Sequence, residues 1–254
     1  MKTVSLYNDT ITIHFNPDSR NRYTLETGGT PVGVTTILGS LAKPGLALWP
    51  MYEALDWLKN KPEDYEGAEK AYLIKSDKGK DVGTEVHSAI ELYLAGEPYP
   101  LGNKLSELSK EAFGAYEAFR GWFNQTKPKV LATEQIIYSK ELDYAGTFDA
   151  LMDIDSQVVL VDIKTTNTSR SAPLGIYPEY LLQLGAYALA HHEEFPEQRI
   201  DDLMIVRVGK DGVLNVLRAS ELGLKVSELE NTFKQLVGVY KFLKPLEIKL
   251  KERK

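Results

Sequence analysis

Apolar and polar residues alternate along "MKTVSLYNDTITIHF", and residues 1 to about 40 read as short strands. "TVSLYND" and "TITIHFN" flank a turn at Asn8–Asp9, and "GGTPVGVTTIL" supplies turn glycines followed by a β-branched run. The period then changes. "LALWPMYEALDWLKN" is amphipathic with Pro50 near its start, so it reads as a helix. Residues 61–81 are charged and mixed. "VGTEVHSAIELYLAG" forms a second helix, stopped by Gly96 and Pro98, and "KLSELSKEAFGAYEAFRGWFNQ" a third, ended at Lys127–Pro128.

The centre reads as β. "KVLATEQIIYS" is one strand; "AGTFDALMDI" and "VVLVDIKTT" are two more, joined at Asp155–Ser156. "PEYLLQLGAYALAHHEE" is a helix, "DDLMIVRVGKDGVLNVLRA" a hairpin with a Lys-Asp-Gly turn, and "VSELENTFKQLVGVYKFLK" a closing helix before the basic "KLKERK". This order predicts an α/β fold, a mixed central sheet flanked by helices.

The central hairpin carries the chemistry. Val158, Leu160, Asp162 and Lys164 share one strand face. An even-length loop at Asp155–Ser156 sets Leu151 opposite Leu160, Asp149 opposite Asp162 and Thr147 opposite Lys164. Opposed Cβ atoms lie about 4.5–5.5 Å apart, where like charges destabilise each other. Two carboxylates so placed call for a cation, and their oxygens suit a hard divalent ion such as Mg²⁺ or Mn²⁺. Asp162 and Lys164 also follow four consecutive apolar residues, unlike ordinary surface charges. An ion that activates water, beside a lysine that holds phosphate, describes phosphodiester hydrolysis.

Composition narrows the setting. The 254 residues include no cysteine, which excludes disulfides and cysteine-held iron–sulfur clusters. The formal charge of −6 argues against a non-specific nucleic-acid coat. No apolar run has signal-peptide or membrane-spanning character, so the expectation is a cytoplasmic protein without membrane contact.

"AGTFDAL…VVLVDIKTT" resembles the core of the PD-(D/E)xK nucleases. "GTEVHSAIE" upstream and "QLGAY" on the following helix are similar to the RecB-type exonuclease branch. That branch includes phage and bacterial recombination exonucleases and the mitochondrial genome maintenance exonuclease. "GVTTIL" followed by "KPGLALW" is similar to the N-terminal part of phage members. The resemblance, over about residues 31–190, implies a restriction-endonuclease-like core with an N-terminal β/helical extension. It implies a single nuclease domain over 1–254, with N-terminal strands and helix at 1–60, a catalytic core at 82–190 and a closing hairpin and helix at 200–254. It further implies a Mg²⁺- or Mn²⁺-dependent DNA exonuclease without an iron–sulfur cluster, acting in recombination, repair or replication. His87, Asp149 and Asp162 would be metal ligands with the backbone carbonyl of Ile163, and Lys164 the catalytic lysine. Gln183 and Tyr187 would steady Lys164 or the nucleic acid. The substrate would be DNA with a free end, and the family admits a homo-oligomer or a recombination partner protein. A structure-specific endonuclease on the same core and an inactive DNA-binding module are the rival readings.

Other residues are weighed beside these. Glu91 shares a helical face with His87 and is a candidate for a second ion or for orienting the imidazole. Glu134, inside an apolar strand, is either an outer carboxylate or an edge charge. Thr165, Thr166, Ser169 and Arg170 follow Lys164 and suit phosphate. Asp153 and Asp155 read as structural. His191 and His192 read as helix-end histidines favoured in the charged form by the dipole. Trp49, Trp57 and Trp122 are either base-stacking or packing residues, with packing favoured for most, and residues 59–81 read as a segment able to gate DNA.

Overall fold

The computed structural model describes residues 1–41, 47–96, 108–166 and 174–252. Ser169 and Arg170, and parts of "KPGLALW", lie outside the described residues. Strands β1 (Lys2–Leu6), β2 (Ile11–Phe15) and β3 (Tyr23–Leu25) form a small antiparallel sheet. Then come β4 (Val32–Gly33), α1 (Val34–Leu38), α2 (Trp49–Asn60), α3 (Tyr65–Leu94) and α4 (Lys110–Thr126). The core strands follow as β5 (Lys129–Ser139), β6 (Tyr144–Ile154) and β7 (Gln157–Lys164). The chain closes with α5 (Pro178–Glu194), β8 (Asp202–Val208), β9 (Leu214–Arg218) and α6 (Val226–Lys251). The main sheet runs β4-β6-β7-β8-β9, with β5 on the other edge of β6. The β4–β6 and β7–β8 pairs are parallel and the rest antiparallel.

Two apolar layers enclose this sheet. One holds Val34 and Ile37 of α1, Leu184 and Tyr187 of α5 and Phe233 of α6 against Leu160, Leu203 and Ile205. The other holds Val86 and Ile90 of α3 and Phe119 of α4 against Val159, Val161 and Val206. The small sheet packs Leu6, Ile13 and Tyr23 on Ile136, Tyr138 and Ala145. The α/β expectation therefore holds. At Gly185 an added Cβ would lie 2.8 Å from the backbone of Leu229, so α5 and α6 cross at a point that only glycine permits.

Three local expectations are corrected. The β-branched "VTTIL" is helical, because Val34, Ile37 and Leu38 at helical spacing bury one face in the core. Helix α3 begins at Tyr65, well before Val82. Its charged first half is capped by Asp64, whose Oδ1 accepts from the Gly67 N–H at 2.9 Å, and carries exposed pairs such as Lys70–Glu66 at 2.7 Å. The basic "KLK" after Ile248 continues α6 to Lys251.

Candidate active site

The site lies where the sheet forks. Along one edge of β6, β4 pairs with Tyr144 and Ala145, and β7 pairs from Ala150 to Ile154. Residues 146–149 have no ladder partner on that edge. The hairpin register is as expected, with Leu151 opposite Leu160, but the ladder stops at Ala150–Val161. The expected direct pairs Asp149–Asp162 and Thr147–Lys164 do not form. β7 departs, and the Asp149 Oδ2 accepts the Ile163 backbone N–H at 2.6 Å instead.

A second irregularity turns Asp149. Phe148 and Leu151 lie in the same core layer, although three residues apart on a strand they should face opposite ways, while Ala150 and Met152 line the other layer. The opposite strand breaks at the matching point. The β5–β6 ladder skips Glu134, which adopts a left-handed φ of 45° and whose carbonyl accepts from Lys2 Nζ at 2.7 Å. An acid with positive φ inside a strand is a strained placement that clusters at functional sites.

Together the breaks gather side chains from different layers. His87 comes from α3, and its Nδ1 lies 3.7 Å from Asp149 Oδ1. His87, Glu134 and Asp149 each offer a ligand atom within 4.8 Å of the others, a nitrogen and two carboxylate oxygens. That donor set suits a divalent ion such as Mn²⁺, and the carboxylates repel one another without one. The carboxyl of Glu134 is pushed up to about 7, mainly by burial and then by the charges of Asp149 and Glu91. Glu91 itself is exposed.

Asp162 is outside that trio but adjoins it. It is 2% exposed, and its two oxygens lie 2.9 and 2.8 Å from Lys164 Nζ. Oδ1 accepts the lysine hydrogen bond; Oδ2 is close to the ammonium without hydrogen-bond geometry. Burial raises the Asp162 carboxyl to about 6; Lys164 pulls the other way, Asp149 adds to the rise and His87 opposes it. Lys164 also sits 5.1 Å from the centre of the Tyr180 ring.

Gln183 and Tyr187 approach from α5. Gln183 Nε2 donates to the Tyr187 hydroxyl at 2.6 Å, and both are buried. Burial, then the charge of Asp162, raises the Tyr187 phenol further above its usual range. Gly146 makes room for that ring: a Cβ there would fall 2.5 Å from Tyr187 Cε1. Thr166 is committed internally, its hydroxyl donating to the Gly175 carbonyl at 2.5 Å, while the buried Thr165 Oγ1 has no hydrogen-bond partner.

Residue order and family now meet. The PD-(D/E)XK nuclease superfamily model matches residues 63–241, about 70% of the chain. This chain is a PD-(D/E)XK nuclease superfamily member. The acid at Asp149 and the acid-x-lysine run Asp162-Ile163-Lys164 stand in the order of the superfamily's signature. Among solved structures, the alkaline exonuclease LHK-Exo from Laribacter hongkongensis is similar at 17% identity over 53% of this chain and 70% of that one, with a TM-score of 0.29. Its complex with dAMP gives 16%, 53%, 70% and 0.27. SSO0001 gives 15%, 48%, 56% and 0.26. Likenesses this distant carry no argument about activity. No curated protein matches the chain significantly.

Sequence reasoning passed over one residue of this nuclease-superfamily chain beside the site. Arg207 faces Lys164 across the β7–β8 pair and is fully buried. Its Nε donates to the Thr166 carbonyl at 2.8 Å and its Nη1 to the Val213 carbonyl at 3.1 Å. An arginine inside "MIVRV" was the available signal, since a charge on a strand covered on both faces needs partners. His191 is corrected: burial lowers it to about 4, so it is neutral, while His192 pairs with Glu230 at 2.6 Å. The three tryptophans are half-buried. No described helix is long and apolar enough to cross a membrane.

Proposed function

We propose that this protein is a divalent-metal-dependent DNA exonuclease of the RecB-type branch, acting on DNA with a free end. The observation that carries the reading is the fork, which sets His87, Glu134 and Asp149 within 4.8 Å of one another, beside the Asp162–Lys164 pair. In this reading His87, Asp149 and Asp162, with the Ile163 carbonyl, hold Mg²⁺ or Mn²⁺, and Glu134 and Glu91 are outer candidates. The bound ion supplies Lewis acidity and a water of lowered pKa. Asp149 is oriented for its role by the Ile163 N–H, which fixes one carboxylate oxygen and leaves the other toward His87. Lys164 holds a phosphate oxygen or orients the attacking water, and Asp162 keeps its ammonium in place. The Gln183–Tyr187 pair walls this carboxylate from solvent on the α5 side. Ser169 and Arg170 are phosphate contacts; Thr165 and Thr166 contribute through their backbone, given a buried hydroxyl on the first and an internally bonded one on the second.

The test is a digest of end-labelled single- and double-stranded DNA with Mg²⁺, Mn²⁺ or EDTA, alongside closed circular single strands. Ion-dependent release of nucleotides from ends, with circles intact, is the expected result. Cleaved circles would assign an endonuclease, and binding without cleavage a DNA-binding module.

A further inference from the structure

Beside Lys164 the chain sets two tyrosines that the ion site does not use. Tyr180, on the first turn of α5, has its ring centre 5.1 Å from Lys164 Nζ and packs on the apolar layer of α1, α5 and α6. Tyr177, the residue before α5, meets that ring at 5.6 Å between centres and 81° between planes. The two rings form a step leading outward from the lysine. Tyr177 is half-buried. Among the described residues neither hydroxyl is hydrogen-bonded, so the fold uses these rings as surfaces and not as polar anchors.

The backbone beneath the step is fixed. Thr166, two residues past Lys164, donates its hydroxyl to the Gly175 carbonyl, and Asn215 of β9 donates to the Leu174 carbonyl at 3.1 Å. Gly175 turns the chain with a left-handed φ of 68°, which favours glycine. Tyr177 is then extended, as a residue before proline must be, and Pro178 opens the helix. A ring held this way loses little freedom when something covers it.

What fits a fixed, half-covered aromatic beside a phosphate-holding ammonium is flat and joined to a phosphate. A nucleobase is both. Stacking tolerates any base, because every base has a π-face. It requires a base free to leave its neighbours, and a base inside a duplex must first unpair and unstack. An apolar peptide could cover the same ring but brings no phosphate to Lys164.

We propose that Tyr177, braced by Tyr180, is the stacking surface for an unpaired base of the nucleotide whose phosphate Lys164 holds, so that the substrate end is single-stranded. This base site rests on the nuclease reading and adds the state of the strand to it.

Anisotropy binding of single-stranded oligonucleotides in EDTA, where metal-dependent cleavage is off, tests it. One base is removed at a time from the positions near each end. The wild type should bind about 10-fold more weakly when the base that meets Tyr177 is missing. Tyr177→Leu should bind the intact strand about as weakly and ignore the missing base, while Tyr177→Phe should behave as the wild type. Mn²⁺ affinity by calorimetry should be the same in all three. The scan on the wild type needs no variant, and circular dichroism checks that both variants fold. Wild-type binding that ignores every missing base overturns the proposal, as does a folded Tyr177→Leu protein that still senses one. A wild type that prefers blunt duplexes to single strands also overturns it. Weakened Mn²⁺ binding in Tyr177→Leu would give the ring to the ion site and overturn it too. Nucleotide release from ends by a wild type that ignores missing bases would sink the base site alone. A wild type that neither binds nor cleaves DNA would sink the nuclease reading with it.

Discussion

Asp162→Asn should stabilise the metal-free protein while abolishing its chemistry. The Asp162 carboxyl is buried at 2% exposure and raised from 3.8 to about 6, burial outweighing the opposing pull of Lys164. Between those values the folded chain binds a proton that the unfolded chain has released. Stability is therefore whole below about pH 4 and falls as pH rises toward 6. Two pH units at about 1.4 kcal/mol each put the loss near 3 kcal/mol at neutral pH. Asparagine keeps the shape and carries no charge, so the variant escapes that loss. It deprives Lys164 of its acid, but that side chain is 19% exposed and its ammonium can turn to water. Urea denaturation in EDTA gives both stabilities at each pH. The variant should match the wild type near pH 4 and exceed it by about 2–3 kcal/mol at pH 7.5. Parallel curves, or a variant weaker at pH 7.5, would refute the idea that a buried charge is held here at the expense of stability.

Three further outcomes follow from particular contacts. Glu134→Gln removes one carboxylate of the trio and should weaken Mn²⁺ binding about 10-fold or more by calorimetry, and in EDTA should remove the stability loss that ionising the raised Glu134 brings as pH rises from 4.5 to about 7. Gly146→Ala drives a methyl into the Tyr187 ring and should cost about 1–3 kcal/mol, but markedly less in a Tyr187→Ala background; additivity within about 0.5 kcal/mol would contradict the contact. Arg207→Lys, which cannot reproduce the two-carbonyl bridge to Thr166 and Val213, should cost about 1–3 kcal/mol in denaturant melts.

The hairpin was legible because one feature determines it. A short turn at Asp155–Ser156 fixes Leu151 on Leu160, and the apolar run Val158–Val161 agrees with a strand covered on both faces. What lies beyond Ala150–Val161 was not legible, because a strand that parts from its neighbour has the same local sequence pattern as one that stays. The turn of Asp149 and the positive φ of Glu134 arise from a matched break in the paired strands β5 and β6, and no glycine stands at either position to mark it. The acid, acid-x-lysine order was visible; that Glu134 would stand nearer His87 and Asp149 than Asp162 does was not. Helix α1 misled because β-branched residues outweighed an i, i+3, i+4 apolar pattern that was present in "VTTIL". The first half of α3 lacked a signal of either kind, since it buries almost nothing on this chain.

The central claim is that Asp149 and its neighbours hold a divalent ion that the nuclease chemistry needs. Mn²⁺ titration of the wild type and of Asp149→Asn, paired with digestion of end-labelled DNA, tests it most directly. The account predicts binding and cleavage by the wild type, with both lost in a variant that melts as a folded protein. A folded Asp149→Asn protein that binds Mn²⁺ and digests DNA as the wild type does would contradict it.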